Sequence, residues 1–554
     1  MKKHFLVLCL AAALLAPGCI KVDNSLGKEL VDKSLLFQTY TAEFPLEEIQ
    51  LRASEALSGY SDTRLTVGAI RDQVFGLTTR ETAFCLIPSL DTIDLGTNPT
   101  AVSFTLNFEA DSISCASDDQ ARIFQNFYVT ELTAPLPDSD GDTRNTREIP
   151  HGNTLITNGL PVYNGSGALT FDFTQEFAQK YLDMLVTLGP VFKDQLNEDG
   201  IDRYKDIVAA MPGIHIRTDA PEGIGGRINM FNLSCLSVSN NYYYRNNNLG
   251  MLVVNSTWNG VQKDSTFIII PGEPELYDEA AYLTNNTKFS QYCFNRTTQS
   301  TQSGPATQKV LVEGGGGLKP VILARELQEK AKAAIAAQGG NPEKAVIVKA
   351  TIILPFELPA DYEELKYYPS VLSPTIETTY TSDDGKEHLT FAGLTDASVS
   401  SENQGDIDRS NLEYKPDITY HLQELLNRTD LDTASDADIW LLTIHTQKVA
   451  NANGSLYDNE YYQNLLYASY YNSLYGGYGG YGGYSSYGYG GYGNYGYSNY
   501  YNYMMLAQMM SSSSQQTYSY TTELDKDRFY RGILCGKEDQ RAPLFRITFA
   551  IPEE

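Results

Sequence analysis

Cysteine, histidine and basic charge are all scarce in this chain, and each shortage closes off a class of chemistry. The 554 residues hold seven cysteines. No two of them form Cys-x-x-Cys, so the usual zinc and dithiol motifs are missing. Cys9 falls in an apolar leader and Cys19 has a part of its own, which leaves Cys85, Cys115, Cys235, Cys293 and Cys535. An odd, scattered set of thiols is no disulfide framework. Buried small hydrophobes are the plain reading, and Cys235 with Cys293 is the first pair to test for a bridge. Lys and Arg number 41 against 68 Asp and Glu, for a formal net charge of -27. So acidic a surface repels nucleic-acid phosphates and anionic headgroups, and it suits an exposed ectodomain.

Beyond the leader the histidines are His151, His215, His388, His421 and His445, none at the spacing of metal ligands or of a catalytic pair. His215 and His445 fall inside expected strands, where a lone histidine is structural. Gly-x-Ser-x-Gly and His-Glu-x-x-His are absent. Gly223-Ile224-Gly225-Gly226 opens no helix after a strand, so it reads as turn glycine and not as a nucleotide loop. Carboxylates are too plentiful for two to be singled out as a glycosidase pair. No catalytic residue is assigned.

What is present begins at the N-terminus. Lys2 and Lys3 precede an apolar run from Phe5 to Leu15, which stops at Ala16-Pro17-Gly18-Cys19. The run is about half the twenty residues a membrane-spanning helix needs. It reads as a signal peptide over 1–18, cut before Cys19, with the thiol acylated. Two or three acyl chains then suffice for stable anchoring in a membrane.

Residues 19–61 read as a lipidated tether and lead-in, with a short strand from Leu36 to Glu43. From Arg64 short runs rich in Val, Ile, Phe, Tyr and Thr alternate with Gly, Pro and Asn, the texture of a sandwich or barrel. Strands are expected at Ala101–Ala110, Phe124–Leu132, Leu169–Phe173, Gly213–Arg217, Arg227–Leu233, Leu249–Thr257 and Ser265–Ile270. One helix interrupts them, capped by Thr174, striped by Phe177, Tyr181, Leu185 and Leu188, and stopped by Gly189-Pro190. A second cycle follows. It has Val310–Val312, the glycines Gly314 to Gly317, a helix from Pro320 to Gln338, and strands at Ala345–Pro355, Thr375–Thr381, Ile418–Leu422, Ile439–Thr446 and Leu544–Ile551. The expected fold is mainly β: two β-sandwich, jelly-roll-like units over 62–300 and 301–554, each with one amphipathic helix.

Of 39 tyrosines, 18 lie between Tyr457 and Tyr503, interleaved with glycine. Low complexity of this kind builds no core, so 457–503 reads as an insertion in the second unit. Its tyrosines, such as Tyr475, Tyr478, Tyr481 and Tyr484, offer flat apolar faces with polar rims that suit sugars or protein surfaces. A tolerated insertion without a role is the competing reading. Asp138-Ser139-Asp140-Gly141-Asp142 spaces oxygen ligands as calcium loops do, yet glycine stands fourth rather than sixth and no Glu stands twelfth. A solvated acidic turn is the first reading, and a weak, exchangeable calcium site at Asp138, Asp140 and Asp142 the second. No other cofactor is expected.

Several features in this order are similar to a known family: the lipoprotein leader, Leu26-Gly27 with Leu30, Val67-Gly68 with Asp72 and Phe75-Gly76, the strand Ser103 to Phe108, the strand and helix from Leu169 to Leu188, and the glycine-rich turn before Pro320. The chain resembles the Bacteroidetes-type lipoproteins called domain of unknown function 4270. That resemblance implies an outer-membrane lipoprotein with β-sandwich domains, and it brings no catalytic residues. Surface-exposed lipoproteins of such bacteria often carry an acidic cluster after the lipidated cysteine, whereas Ile20-Lys21-Val22-Asp23-Asn24 has one acid. Both membrane faces therefore stay open, with the cell surface favoured over the periplasmic side. The expected function is non-enzymatic, as a binding or accessory subunit of an outer-membrane or other cell-envelope assembly. The alternatives are a glycan-binding surface lipoprotein and, after it, an envelope hydrolase.

Overall fold

The structure is a computed structural model describing residues 37–61, 64–89, 92–137, 142–191, 204–233, 236–239, 242–245, 248–272, 282–283, 287–288, 293–300, 303–315, 317–381, 387–396, 404–431, 433–450 and 518–552. The chain is mainly β, with several antiparallel sheets.

In the first unit, pairing runs in a closed circuit. Val261–Gly272 pairs with Gly250–Trp258, and the neighbours continue through Thr97–Cys115, Gly225–Asn232, Arg64–Asp72 and Gly76–Pro88. The last of these returns to the first strand through Ile269↔Pro88 to Gly272↔Cys85. Two long bent strands make the closure possible, and register shifts at Val253/Val254 and Met230/Phe231 supply local kinks. Gln125–Leu132, His151–Leu155 and Ile214–Thr218 extend this sheet from Gly76–Pro88. Alternation decides the faces: Phe84, Phe104, Phe108, Phe127, Phe171 and Phe231 all point into one core.

The helix Gln175–Leu188 covers that core. Thr174 accepts a hydrogen bond from the Phe177 N–H at 3.2 Å, and Gly189 ends the helix at a φ of 85°. The Phe104 ring meets those of Phe173, Phe177 and Tyr181 at 4.8, 6.1 and 5.2 Å between centroids. Such aromatic contacts each add about 1 kcal/mol beyond the area they bury. A second helix, Tyr204–Ala210, sets Ile207 into the same core.

The second unit is a sandwich built from both ends of the chain. Phe37–Pro45 pairs with Leu544–Pro552 along its full length, from Phe37↔Pro552 to Pro45↔Leu544, in a five-stranded sheet. Ile49–Arg52 sits between Gly304–Ala306 and Lys319–Ile322 in a seven-stranded sheet. The expected lead-in thus carries two strands of this unit. One core takes Ile547 and Phe549 from the first sheet, Ile322, Ile439 and Leu441 from the second, and Leu327, Ile335, Leu422 and Leu425 from helices.

Two expectations are corrected here. Ile418–Leu422 is no strand, since Thr419–Leu426 is a helix. Asp417 accepts from the Thr419 N–H at 3.0 Å, while Asp396 accepts from Tyr420 and His421 at 2.7 and 3.0 Å, so the first-turn donors are satisfied. Among the described residues, Gln175–Leu188 and Tyr204–Ala210 belong to the first unit, and Ala324–Ala337 and Thr419–Leu426 to the second, in place of the one helix expected of each. The helix Ala324–Ala337 starts later than Pro320 because Val321 and Ile322 pair with Trp440 and Ile439. Its cap comes from a distant loop, Asp438 accepting from the Ala324 N–H at 2.9 Å. The strand Ile439–Ala450 pairs with Tyr518–Leu524, from Ile444↔Leu524 to Ala450↔Tyr518, so Ala450 and Tyr518 lie side by side.

Candidate functional site

Most of the side chains singled out above lie outside the described residues: Cys19, Cys235, Asp138, Asp140 and the tyrosines Tyr475, Tyr478, Tyr481 and Tyr484. Asp142 is described, and Arg144 holds both of its oxygens, Nε and Nη2 each donating at 2.7 Å. Cys293 is buried with its thiol 3.3 Å from the Arg64 carbonyl. Cys115 and Cys535 are buried free thiols, and burial pushes Cys535 up to about 11. Among the described residues no group of three His, Cys, Asp or Glu could hold a metal ion. No described helix is long and apolar enough to cross a membrane.

The two units are joined by a buried ionic cluster that the sequence does not announce. Arg80 is 2% exposed and donates to Thr297 Oγ1 at 2.5 Å, the Lys526 carbonyl at 3.1 Å and the Gly314 carbonyl at 3.2 Å. Glu313 takes the Thr78 hydroxyl at 2.5 Å, and Lys319 Nζ donates to the Glu313 carbonyl at 2.8 Å. Burial pushes Glu313 up and Lys319 down to about 7, while Glu313 pulls the lysine back up. Asp525 accepts the Tyr530 hydroxyl at 2.5 Å, and Arg64 lies 2.8 Å from Asp111 and 3.8 Å from Asp527. Beside these charges Phe529 packs on Ile70, Phe75, Ala116 and Ile228, and Arg531 lies 4.0 Å over the Tyr367 ring. Most of its polar groups meet a partner within the cluster, while Arg80 Nε, Glu313 Oε2 and Arg531 Nε and Nη2 are buried without one; its members tie the two units together as a weld. From sequence the run Tyr518–Cys535 reads as a strand, whereas the structure has strands Tyr518–Leu524 and Gly532–Cys535 with Asp525–Arg531 between them.

The second grouping lies on the outer face of the first unit. On Ile214–Thr218, Ile214 and Ile216 enter the core, so His215, Arg217 and then Asp219 face outward. His215 is fully buried under His151, the two rings stacked at 4.1 Å, and its Nε2 is 3.3 Å from Glu81 Oε2. Arg296 also reaches Glu81 at 3.3 Å. Burial lowers the His215 pKa despite the pull of Glu81. The histidine spacing in the chain concealed this pair, because the two lie on separate strands with Gln125–Leu132 paired between them.

Farther along the same face, Arg217 lies opposite Tyr128 and stacks over its ring at 4.4 Å. Asp219 Oδ2 accepts from the Tyr128 hydroxyl at 3.0 Å and from Asn126 Nδ2 at 3.2 Å. Phe124, two residues before Asn126, is 77% exposed. This row holds the described residues best arranged to meet a ligand: aromatic faces with polar groups set beside them.

Comparison with known proteins adds no relative. No family model matches the chain, and neither a curated protein nor a solved structure matches it.

Proposed function

We propose that this chain is a lipid-anchored outer-membrane protein that works by binding, as an accessory subunit of a cell-envelope assembly, and performs no reaction of its own. The observation that carries the reading is the pairing of Ile439–Ala450 with Tyr518–Leu524. It brings Ala450 and Tyr518, the described residues on either side of the tyrosine- and glycine-rich stretch, together at one point of the fold. Tyrosine presents large contact faces at small entropic cost. A weld of buried charge beneath these two strands keeps that point fixed relative to the first unit. On the other side, residues 20–36 separate Cys19 from the first described strand, a span of at most ~60 Å at about 3.5 Å per residue. The body is thus held close to the membrane that Cys19 addresses.

The test is affinity purification of the tagged chain from detergent-solubilised outer membrane, with and without residues 457–503. A stoichiometric partner that is lost with the deletion supports the reading. Recovery of the chain alone from the membrane fraction defeats it.

A further inference from the structure

The row on the outer face of the first unit points to a ligand of definite chemistry. Asn126 and Tyr128 share one face of the strand Gln125–Leu132, and Phe124 immediately precedes that strand, the three spanning at most roughly 13 Å at about 3.3 Å per residue. Val162 lies beside Asn126 on the neighbouring strand, and Asp219 and Arg217 flank the row from the other side. Phe124 and Val162 are 77% and 55% exposed, an aromatic and an aliphatic surface left in water. The polar groups between them are held in place before any ligand arrives. Asp219 Oδ2 takes both the Asn126 amide and the Tyr128 hydroxyl, and Asp219 is exposed. Arg217 is stacked over the Tyr128 ring at 4.4 Å.

Three features choose the occupant. Arg217 and Asp219 cancel in charge, so the row suits a neutral molecule. A peptide strand adding to the sheet needs an open edge, but Gln125–Leu132 is paired on both sides, by Ile214–Thr218 and by Val162–Tyr163 with His151–Leu155. A nucleic acid would bring phosphates to a chain of net charge -27. What remains is a ligand with flat C–H faces to stack on Phe124 and hydroxyls at its rim for Asp219, Asn126 and Arg217. We propose that this face binds a neutral oligosaccharide, with Phe124 as the stacking platform and Asp219, Asn126 and Arg217 as the hydroxyl-reading groups. The site is independent of the tyrosine-rich stretch and does not rest on the assembly reading.

The test is affinity electrophoresis of the full mature chain, as Cys19→Ala, in gels containing starch, hydroxyethyl cellulose, xylan or galactomannan. At least one polysaccharide retards the protein. Phe124→Ala and Asp219→Ala weaken that retardation at least tenfold, Phe124→Tyr retains it, and deletion of residues 457–503 leaves it unchanged. Because Phe124 is exposed, the melting temperature of Phe124→Ala stays that of the parent and serves as the folding control. The inference falls if no gel retards the protein, if Phe124→Ala binds as the parent does, or if binding vanishes only with the deletion. A recovered protein partner without polysaccharide binding would sink this inference and leave the assembly reading standing.

Discussion

The guanidinium of Arg80 lies across Gly315 so closely that a β-carbon at residue 315 would come within 1.6 Å of Nη2. Gly315 also holds a φ of 76°, which only glycine adopts without strain. Gly315→Ala therefore both strains the backbone and expels Arg80 from its carbonyl and hydroxyl partners. The expected loss is about 3 kcal/mol or more, from 1–3 kcal/mol of strain plus broken buried hydrogen bonds. Gly339→Ala is the control, with a φ of 77° and nothing within 4 Å of an added β-carbon. Urea denaturation should find Gly315→Ala clearly the worse of the two, and equal losses would mean that the Arg80 contact contributes nothing.

Asp438 serves two elements at once. One oxygen caps Ala324 at 2.9 Å and the other meets Arg52 at 2.6 Å. Asp438→Ala removes both, at an expected cost of about 2 kcal/mol, while Asp438→Asn keeps an acceptor for the cap and loses about half as much. Denaturation midpoints of the two variants check the order, and a reversal would assign the stability to charge alone.

His421 is buried on the short helix, its Nε2 3.0 Å from the Ala437 carbonyl, and burial drops its pKa to about 4. The unfolded chain takes up this proton below its ordinary value of 6.5, the folded chain only below about 4. Stability present at neutral pH is therefore lost progressively as pH falls through that window, by about 3 kcal/mol at 1.36 kcal/mol per unit. Asp396, which accepts from the N–H groups of Tyr420 and His421 at the start of that helix, works in the opposite sense. Its pKa is raised to about 6 by burial, so its part of the stability is lost as pH rises from 3.8. Comparing His421→Gln with the parent isolates the histidine: the parent should lose more stability between pH 7 and pH 4, and parallel curves would show that His421 does not titrate as its burial requires.

Cys19→Ala removes the acylation site of the proposed anchor. The protein should move from the membrane fraction to the soluble fraction while its melting temperature is unchanged, because the first described strand begins at Phe37. Retention in washed membranes would mean that something other than the lipid holds it there.

Residue patterns decided a good part of this molecule without help from its fold. Alternating side chains placed Ala101–Ala110 and Leu544–Ile551 on strands that the structure extends, and Phe124–Leu132 on one that begins a residue later, at Gln125. Thr174 and Gly189 bounded a helix because capping acts within one turn. Local chemistry also limits what Ile418–Leu422 can reveal. Its apolar residues fit either period, and the acid that tips it to helix, Asp396, sits more than twenty residues upstream.

Only the tertiary structure decided the rest, since it depends on pairs distant in the chain. Phe37↔Pro552 zips the two ends together, and no window of sequence contains both. Gly314 to Gly317 were legible as a turn, yet what requires glycine at Gly315 is the Arg80 guanidinium from Gly76–Pro88, and at Gly314 and Gly317 the Arg528 carbonyl and the Gln299 side chain. In the same way, His151 and His215 become a stacked pair across the strand Gln125–Leu132 that lies between theirs, and Asn126, Tyr128 and Arg217 come together because neighbouring strands carry them into register. Sequence sets which side of a strand each residue takes, and the sheet sets which residues then meet.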